Sequence, residues 1–317
     1  MGLSSFLNLV EIKTKVASII PFTLGTLYAV YRFHKFNLKN FILMLVTMLA
    51  FDMVTTAINN YIDFKKAKKT SGYNYEIHNA IVKYNLKSSS VMAAIVILLF
   101  IAVAFGFVLF LNTNIVVLVL GTISFIVGIL YSYGPIPISR MPLGEIFSGL
   151  FMGFIIMFLS VYIHVYDQNI VSIVFNNGIV NISINIIEVL YIFLISLPLI
   201  SGIANIMLAN NICDIEDDIE NKRYTLPVYI GSTNALMLYK GLYYAAYLST
   251  ILMIILRVEP VFSLVSLITF LWVNKNIKLF YEKQTKKDTF ITSVKNFVLI
   301  NTVQIASIGA SIIMNKL

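Results

Sequence analysis

The sequence predicts an all-α, polytopic membrane protein. Of its 317 residues, 59% are hydrophobic and only 12% are charged, and the mean hydropathy is +0.87. A soluble domain of this size needs more polar residues to cover its surface. Apolar runs of about 20 residues recur along the whole chain, and this is the length that a helix needs to cross the hydrocarbon core of a bilayer. The alternating pattern typical of a membrane β-barrel does not occur in these runs.

About nine apolar runs are expected to be transmembrane helices. Their approximate bounds are 16–33, 40–62, 89–111, 115–134, 145–166, 186–208, 234–256, 259–277 and 291–314. The segment 166–185 contains no Lys or Arg and is expected to be an external loop, with room for a short amphipathic stretch on the membrane surface. No separate polar domain interrupts the series. We therefore expect residues 1–317 to form one membrane domain with two pseudo-repeated halves, about 1–140 and 141–317.

The distribution of basic residues predicts the orientation. With a cytoplasmic N-terminus, the cytoplasmic segments hold 17 Lys and Arg residues and the external segments hold five. Cytoplasmic loops of membrane proteins carry an excess of Lys and Arg. The prediction is a multi-pass protein of the cell (plasma) membrane with a cytoplasmic N-terminus, although the basic loop 32–39 would then be external. The basic residues in the loops between spans account for the net charge of +8, so no nucleic-acid partner is expected.

The pattern Asn-Asn-x-x-Asp occurs twice, at 59–63 and 210–214, each time at the end of an apolar run. In this topology both copies lie on the cytoplasmic side. Polar side chains at a membrane edge are costly unless they act there, so the pair predicts a functional site. Helical spacing aligns each copy with further polar residues. The stripe at the end of the second predicted span consists of Asp52, Thr55, Thr56, Asn59, Asn60 and Asp63. The stripe at the end of the sixth consists of Ser201, Asn205, Asn210 or Asn211, Asp214 and Asp218.

These side chains offer the oxygen ligands that Mg²⁺ prefers. Asp214 and Asp218 are four residues apart, so their carboxylates lie on one helix face, with Glu216 and Asp217 beside them. Such a concentration of carboxylates repels itself unless cations are present. Magnesium takes one or two carboxylates, keeps several waters and binds substrate phosphates. The clusters therefore predict binding of a lipid that carries a diphosphate. The alternative is that the Asn and Asp residues only cap helices.

A third element is the turn at 131–137, which reads Tyr-Ser-Tyr-Gly-Pro-Ile-Pro and precedes Leu143-Gly144-Glu145. Glycine and two prolines favour a turn here. Tyr131 and Tyr133 have ring faces that can stabilise an allylic cation. Interfacial anchoring of the two tyrosines is the alternative. Arg140 is the only basic residue of this loop.

Together these elements resemble the UbiA superfamily of intramembrane aromatic prenyltransferases. Within it, 131–145, 210–218 and the following 221–231 are most similar to the 1,4-dihydroxy-2-naphthoate prenyltransferases. The pair Lys13-Thr14 matches a basic residue and threonine near the start of the family. The resemblance covers nearly the whole chain. It implies nine transmembrane helices around a central cavity, with two Asp-rich motifs that bind a polyprenyl diphosphate through Mg²⁺.

The resemblance implies a role for each site residue. The expected metal ligands are Asn59, Asp63, Asp214 and Asp218. The three aspartates, with Tyr131 and Tyr133, are the expected catalytic residues. The expected substrate-binding residues are Lys13, Asn59, Asn60, Asn210, Asn211, Arg140, Lys222 and Arg223. The implied reaction joins the prenyl group to the naphthoate ring with loss of the ring carboxylate, which is a step of menaquinone biosynthesis.

The first motif departs from the family pattern. Asn59-Asn60 stands where Asn-Asp is usual, and a second aspartate after Asp63 is replaced by the lysine-rich stretch 65–69. Asp52 or a lysine contact to the diphosphate is expected to compensate. Tyr224 also stands where a basic residue is frequent. Three alternatives stay open. The chain could prenylate another acceptor such as 4-hydroxybenzoate, it could be a secondary transporter, or it could be a non-catalytic member of the family.

Overall fold

A computed structural model describes residues 1–66, 79–135 and 137–314. The lysines that end the stretch after the first motif, Lys68 and Lys69, lie outside these residues. The helices are α1 Leu3–Leu9, α2 Val16–Phe33, α3 Leu38–Lys66, α4 Ala80–Lys83, α5 Ser88–Leu111, α6 Ile115–Ser132, α7 Gly144–Ser148, α8 Ile156–Val165, α9 Ile186–Ile195, α10 Leu197–Cys213, α11 Ile215–Glu220, α12 Leu226–Ile255, α13 Phe270–Glu282 and α14 Ile291–Met314. Short 3₁₀ segments cover Ile12–Lys15, Ile138–Arg140 and Val261–Thr269, and one π-helical segment covers Gly149–Ile155.

The all-α membrane fold is confirmed, while the count of nine spans is approximate. Among the described residues, seven helices are long and apolar enough to cross a membrane, or eight if the bent pair α9 and α10 is counted as one span. The two helices of that pair meet at an angle of 48°. The expected span 259–277 instead consists of the 3₁₀ segment Val261–Thr269 and then α13. Large apolar side chains on α5 are exposed, Phe100 by 73%, as expected of a surface that faces lipid.

The segment 166–185, which is predicted to be external, is not a plain loop. It forms an antiparallel hairpin of β1 Val171–Asn176 and β2 Ile179–Ile184. The two central residues of its turn, Asn177 and Gly178, have φ values of 48° and 78°. Asn-Gly is the sequence that favours positive φ at both positions of a two-residue hairpin turn. The flanking residues are rich in β-branched side chains and pair as strands, so the segment is a hairpin, and its contact with the membrane surface stays a prediction.

The chain divides into two compact units, and each is described by itself. The first contains Met1–Ser18 and Lys39–Pro137, and the second contains Ile19–Leu38 and Ile138–Leu317. The boundary at 137 lies near the expected 140, whereas residues 19–38 belong to the second unit. The pseudo-repeat of the two halves stays a prediction. In the first unit, Leu9 and Val10 pack with Val54 and Ala57 of α3 and with Ile95 of α5.

The second unit is built around α10. Its residues Leu208 and Ile212 pack with Tyr239 and Tyr243 of α12 and with Ile300 of α14. Because α10 lies between these two helices, its polar C-terminal end is held by elements that are far apart in sequence. The second Asn-Asn-x-x-Asp copy lies at this end.

Two glycines of the π-helical segment allow it to approach α10 closely. A Cβ atom on Gly153 would lie 2.7 Å from the backbone nitrogen of Ile200, and one on Gly149 would lie 3.0 Å from the Ile200 carbonyl oxygen. Small residues four apart are a common means of close helix contact in membranes. The contact fixes α7, which precedes the segment, beside the C-terminal half of α10.

We expect Gly153→Ala to destabilise the protein by about 1–3 kcal/mol, because the added methyl group meets backbone atoms that cannot move independently. The thermal unfolding temperature of the purified protein in detergent measures this. Gly121→Ala in α6 is the matched control, since a Cβ atom there has no neighbour within 4 Å. Equal unfolding temperatures for the two variants would contradict the packing argument.

Candidate active site

The second motif lies where α10 ends and α11 begins. Asp214 is the residue between the two helices, with a φ of −109°. The backbone N–H of Asp218 still donates to the carbonyl oxygen of Asp214 at 2.7 Å. Asp214 is therefore the N-cap residue of α11, and the four-residue spacing places Asp214 and Asp218 on one side of that helix.

The turn after α11 brings a cation back to Asp218. The N–H of Arg223 donates to the Asp218 carbonyl oxygen at 2.8 Å, and the N–H of Lys222 donates to that of Ile219 at 3.2 Å. Lys222 has a φ of 54°. This pair of bonds with a left-handed residue is the Schellman motif that ends many helices. It reverses the chain so that Arg223 Nε lies 3.4 Å from Asp218 Oδ1.

The Thr-Leu-Pro sequence that follows serves the same carboxylate. Thr225 is buried and its hydroxyl donates to Asp218 Oδ2 at 2.9 Å. Thr225 is also the N-cap residue of α12, and Pro227 occupies the first turn of that helix, where proline is tolerated. One short stretch thus starts α12 and fixes Asp218.

Asp218 is buried, and this burial raises its pKa above the ordinary value of an aspartate. The Arg223 guanidinium, the Thr225 hydroxyl and the more distant Lys286 ammonium lower this pKa, whereas the Asp214 carboxylate raises it. Because the net direction is upward, the ionised form of Asp218 is under-stabilised in the metal-free protein.

Asp214 is paired with a residue that sequence analysis did not identify. Its Oδ2 atom lies 2.5 Å from Nζ of Lys286, which comes from the loop between α13 and α14. Glu145 of α7 was also not assigned a role. It is 3% exposed, and its Oε1 atom accepts a hydrogen bond of 2.8 Å from Asn211 Nδ2. The Oε2 atom of Glu145 is buried and has no hydrogen-bond partner among the described residues.

The remaining predicted residues of this unit are near the surface. Asn210 makes a weak contact of 3.4 Å to Asn211 Oδ1. Lys222 and Arg140 are exposed. The backbone carbonyl of Arg140 accepts from the N–H of Tyr224 at 3.1 Å, so the 3₁₀ segment Ile138–Arg140 is attached to the turn after α11.

The first motif has a different environment. Asn59 and Asp63 are exposed on α3, whereas Asn60 is buried. The Asn60 amide donates to the Leu9 carbonyl oxygen at 2.9 Å and to Glu11 Oε1 at 3.2 Å. These contacts attach α3 to the N-terminal segment. The predicted substrate role of Asn60 is untested.

Asp52 forms an ion pair inside the first unit. Lys15, 2% exposed, donates to Asp52 Oδ1 at 2.5 Å, to the Asp52 carbonyl oxygen at 3.1 Å and to Thr56 Oγ1 at 2.7 Å. Ser18 donates to the other carboxylate oxygen. All three ammonium protons of Lys15 are thereby satisfied. The expectation that Asp52 compensates for the depleted motif is not supported, because this carboxylate already has an internal cation.

The N-terminal pair Lys13-Thr14 and the two tyrosines are near the surface or half-buried, and the Thr14 hydroxyl donates to the Glu11 carbonyl oxygen at 2.8 Å. Lys13 and Thr14 are exposed in the 3₁₀ segment before α2. Tyr131 is half-buried in the last turn of α6, and Tyr133, just after it, is 60% exposed. These residues belong to the first unit.

The membrane helices and the paired aspartates at a helix break define an integral membrane protein with a candidate site for a metal and an anionic lipid. Comparison with known proteins places it in a family. Residues 18–300 match the UbiA prenyltransferase family, and the chain belongs to this family.

The chain is 30% identical, over 235 residues, to a 1,4-dihydroxy-2-naphthoate octaprenyltransferase of Bacillus subtilis (strain 168), covering 74% of this chain and 68% of the relative. Its fold is similar to a UbiA homologue from Aeropyrum pernix K1, with a TM-score of 0.67, 20% identity and coverage of 94% and 98%. A UbiA homologue from Archaeoglobus fulgidus bound to DMAPP and Mg²⁺ gives a TM-score of 0.60 at 14% identity, with coverage of 96% and 99%.

The ion pair in the first unit yields a test of stability. Lys15→Met leaves Asp52 without its cation, and we expect a loss of about 3–5 kcal/mol for breaking such a buried pair. The double variant Lys15→Met/Asp52→Leu should recover most of this loss, because it removes both charges. Thermal unfolding in detergent measures both. If the double variant were as unstable as the single one, the ion pair would not be the cause.

The pKa direction of Asp218 yields a second test. A carboxyl whose pKa is raised on folding contributes stability that is complete below its unfolded pKa of about 3.9 and is lost as the pH rises through the raised folded pKa. We therefore expect metal-free Asp218→Asn to unfold at the same or a higher temperature than the parent at pH 7, with the difference vanishing towards pH 4. Asp217→Asn, on the exposed face of α11, should show no such trend. A lower unfolding temperature of Asp218→Asn at pH 7 would contradict the argument.

Proposed function

We propose that this chain transfers a polyprenyl group from a prenyl diphosphate to 1,4-dihydroxy-2-naphthoate in a Mg²⁺-dependent reaction. The observation that carries the proposal is the cluster at the α10–α11 break, where Asp214 and Asp218 lie beside Lys286 and Arg223. Carboxylates for a metal and cations for phosphate oxygens are the two components of a metal–diphosphate site. The naphthoate acceptor is supported by the name of the 30%-identical relative.

The residues at the break suit Mg²⁺. Asp214 and Asp218 are hard oxygen ligands, and Mg²⁺ usually takes only one or two carboxylates together with water and substrate phosphate. Within the described part of the chain, no group of three or more His, Cys, Asp or Glu residues is arranged to hold a metal. A closed all-protein metal site is thus not expected there. The buried Glu145 Oε2 atom, which has no partner in the same part of the chain, is available to accept from metal-bound water.

The metal when bound supplies positive charge against which the diphosphate leaves. The chain's own residues do the remaining work. Asp214 and Asp218 would hold the metal, and Arg223 would neutralise an oxygen of the diphosphate head. Glu145 holds the Asn211 amide in place. Arg140 and Lys222, both exposed beside the same turn, attract the anionic substrate as it arrives.

The chemistry proposed for the site is substitution at an allylic carbon. The C–O bond to the diphosphate breaks and its electron pair leaves with the bridging oxygen. The electron-rich naphthoate ring then forms the new C–C bond, and loss of the ring carboxylate as CO₂ returns the electron pair to the ring. The products are the prenylated naphthoquinol, CO₂ and diphosphate.

For the first motif we propose the roles that the resemblance implies. Asp63 and Asn59 bind a metal, Lys13 and Asn60 bind substrate, and the rings of Tyr131 and Tyr133 stabilise the allylic cation. Asn210 is proposed to contact the substrate from the second motif. Because the first motif has one acid and the second has two, we expect substitutions at Asp63 to reduce metal affinity less than substitutions at Asp214.

We propose that the site opens to the cytoplasm. The excess of basic residues on the predicted cytoplasmic side supports this orientation. It is also the side on which a water-soluble diphosphate product can leave without crossing the membrane. A cysteine-accessibility assay on spheroplasts, with a cysteine at Lys222 or at Gly178 in a Cys213→Ser background, tests the orientation.

The reaction itself is tested with purified protein, farnesyl diphosphate, 1,4-dihydroxy-2-naphthoate and Mg²⁺. We expect a prenylated naphthoquinol by mass spectrometry and its loss on chelation of the metal. Parallel reactions with 4-hydroxybenzoate test the acceptor. Product with that phenol and none with the naphthoate would reject the acceptor, and product with neither would reject the enzyme assignment for these substrates.

Variants assign the residues. Asp214→Asn and Asp218→Asn should each lower kcat/KM by a factor of about 100 or more, because each removes charge that the site directs at the leaving group. Glu216→Gln, an exposed residue between them, is the control and should leave the rate within about twofold. Full activity in both aspartate variants would remove the metal-binding role from the second motif.

A further inference from the structure

Lys286 approaches the second motif from a separate part of the second unit. Its Nζ atom lies 2.5 Å from Asp214 Oδ2, while its side chain is 55% exposed and that of Asp214 is 12% exposed. The same ammonium is close enough to act on Asp218, where it favours the ionised carboxylate. A largely exposed lysine thus contacts the largely buried carboxylate of Asp214 rather than the exposed Glu216 and Asp217.

The loop that carries Lys286 has a defined structure. The Thr289 hydroxyl donates to the Lys283 carbonyl oxygen at 2.7 Å and accepts from the N–H of Thr285 at 3.0 Å. Lys283 Nζ lies 2.6 Å from Asp288 Oδ2. Thr289 is 9% exposed and fixes the turn from inside. Lys286 therefore projects from the tip of an ordered turn, and its backbone needs little ordering when it binds.

The next residue provides an internal comparison. Lys287 has the same side chain and is also exposed, but it lies beside Asp288 of its own loop. The two lysines therefore carry equal charge on adjacent residues, and of these two only Lys286 forms an ion pair with the motif. If the lysines only added general positive charge, substitutions of Lys286 and Lys287 would have the same effect. A specific contact to the motif predicts an effect for Lys286 alone.

We infer that Lys286 is a diphosphate-binding residue of the site. In the metal-free protein Lys286 pairs with Asp214, and it is released when a metal and a diphosphate bind. This inference rests on the proposed function. In the metal-free protein the ammonium neutralises Asp214, because a concentrated carboxylate pair requires a cation. With a metal held at Asp214, the long, solvated side chain of Lys286 would be free to reach an oxygen of the diphosphate.

This inference predicts effects of opposite sign on two ligands. Removing the ammonium removes a competitor for Asp214, so the metal alone should bind more tightly. Removing it also deletes a charge-assisted contact, so the diphosphate should bind more weakly in the presence of the metal. A lysine that only adds general positive charge, or that only stabilises the fold, does not give this pair of effects.

The test uses the full chain in detergent, with Lys286→Ala and Lys287→Ala as matched variants of equal net charge. Binding of Mn²⁺ alone is followed by electron paramagnetic resonance, and binding of inorganic pyrophosphate at saturating Mg²⁺ is followed by calorimetry. For Lys286→Ala we expect Mn²⁺ affinity to rise about threefold, as for loss of a partly solvated ion pair. We expect pyrophosphate affinity to fall about tenfold, as for loss of a charge-assisted hydrogen bond.

Lys287→Ala should change neither affinity by more than about twofold, as for an exposed residue away from the site. Lys286→Arg should restore most of the pyrophosphate affinity, and Lys286→Gln should behave like the alanine variant. Equal behaviour of Lys286→Ala and Lys287→Ala would overturn the inference while leaving the proposed function intact. An unchanged pyrophosphate affinity in Lys286→Ala would also overturn it. If the parent protein failed to bind pyrophosphate with Mg²⁺, the proposed function would fail as well.

Discussion

The arrangement of the second motif depends on one buried carboxylate, that of Asp218. Three local structures meet at this side chain. They are the Schellman turn that returns Arg223, the N-cap Thr225 that begins α12, and the helix break at Asp214. Yet the burial of Asp218 outweighs these favourable contacts, so its pKa is raised. The protein therefore maintains a carboxylate whose charge it does not fully compensate, and a bound cation would relieve this cost.

The rest of the second unit makes this arrangement possible. The glycines of the π-helical segment let α7 lie against α10, which brings Glu145 to Asn211. The packing of α10 with α12 and α14 fixes the position of the break in relation to the loop that holds Lys286. Apolar packing thus sets where the break lies, and the polar contacts at the break then hold Asp218 and its neighbours.

Much of this could be predicted from the sequence, because the main signals are local. Hydropathy gives the spans, and spacing gives the shared face of Asp214 and Asp218. The partners of these residues could not be found in this way. Glu145 is 66 residues from Asn211, and Lys286 is 72 residues from Asp214, so both contacts depend on the packing of the helices. The hairpin at 171–184 did have a local signal, the Asn-Gly turn, which the apolar composition of its flanks obscured.

The two Asn-Asn-x-x-Asp copies illustrate why a repeated pattern need not have a repeated role. In the first unit, Asp52 lies seven residues before the first copy on the same helix, and a buried lysine whose three protons are all used already compensates its charge. In the second unit, Arg223 lies 3.4 Å from Asp218, and the lysine at Asp214 is largely exposed and can leave. An ion pair that is fully satisfied inside the protein stabilises a fold, whereas an incompletely compensated carboxylate pair can exchange its cations for a ligand. By this criterion, Asp52 has a structural role beside the first copy, whereas Asp214 and Asp218 of the second motif carry charges that a ligand can engage.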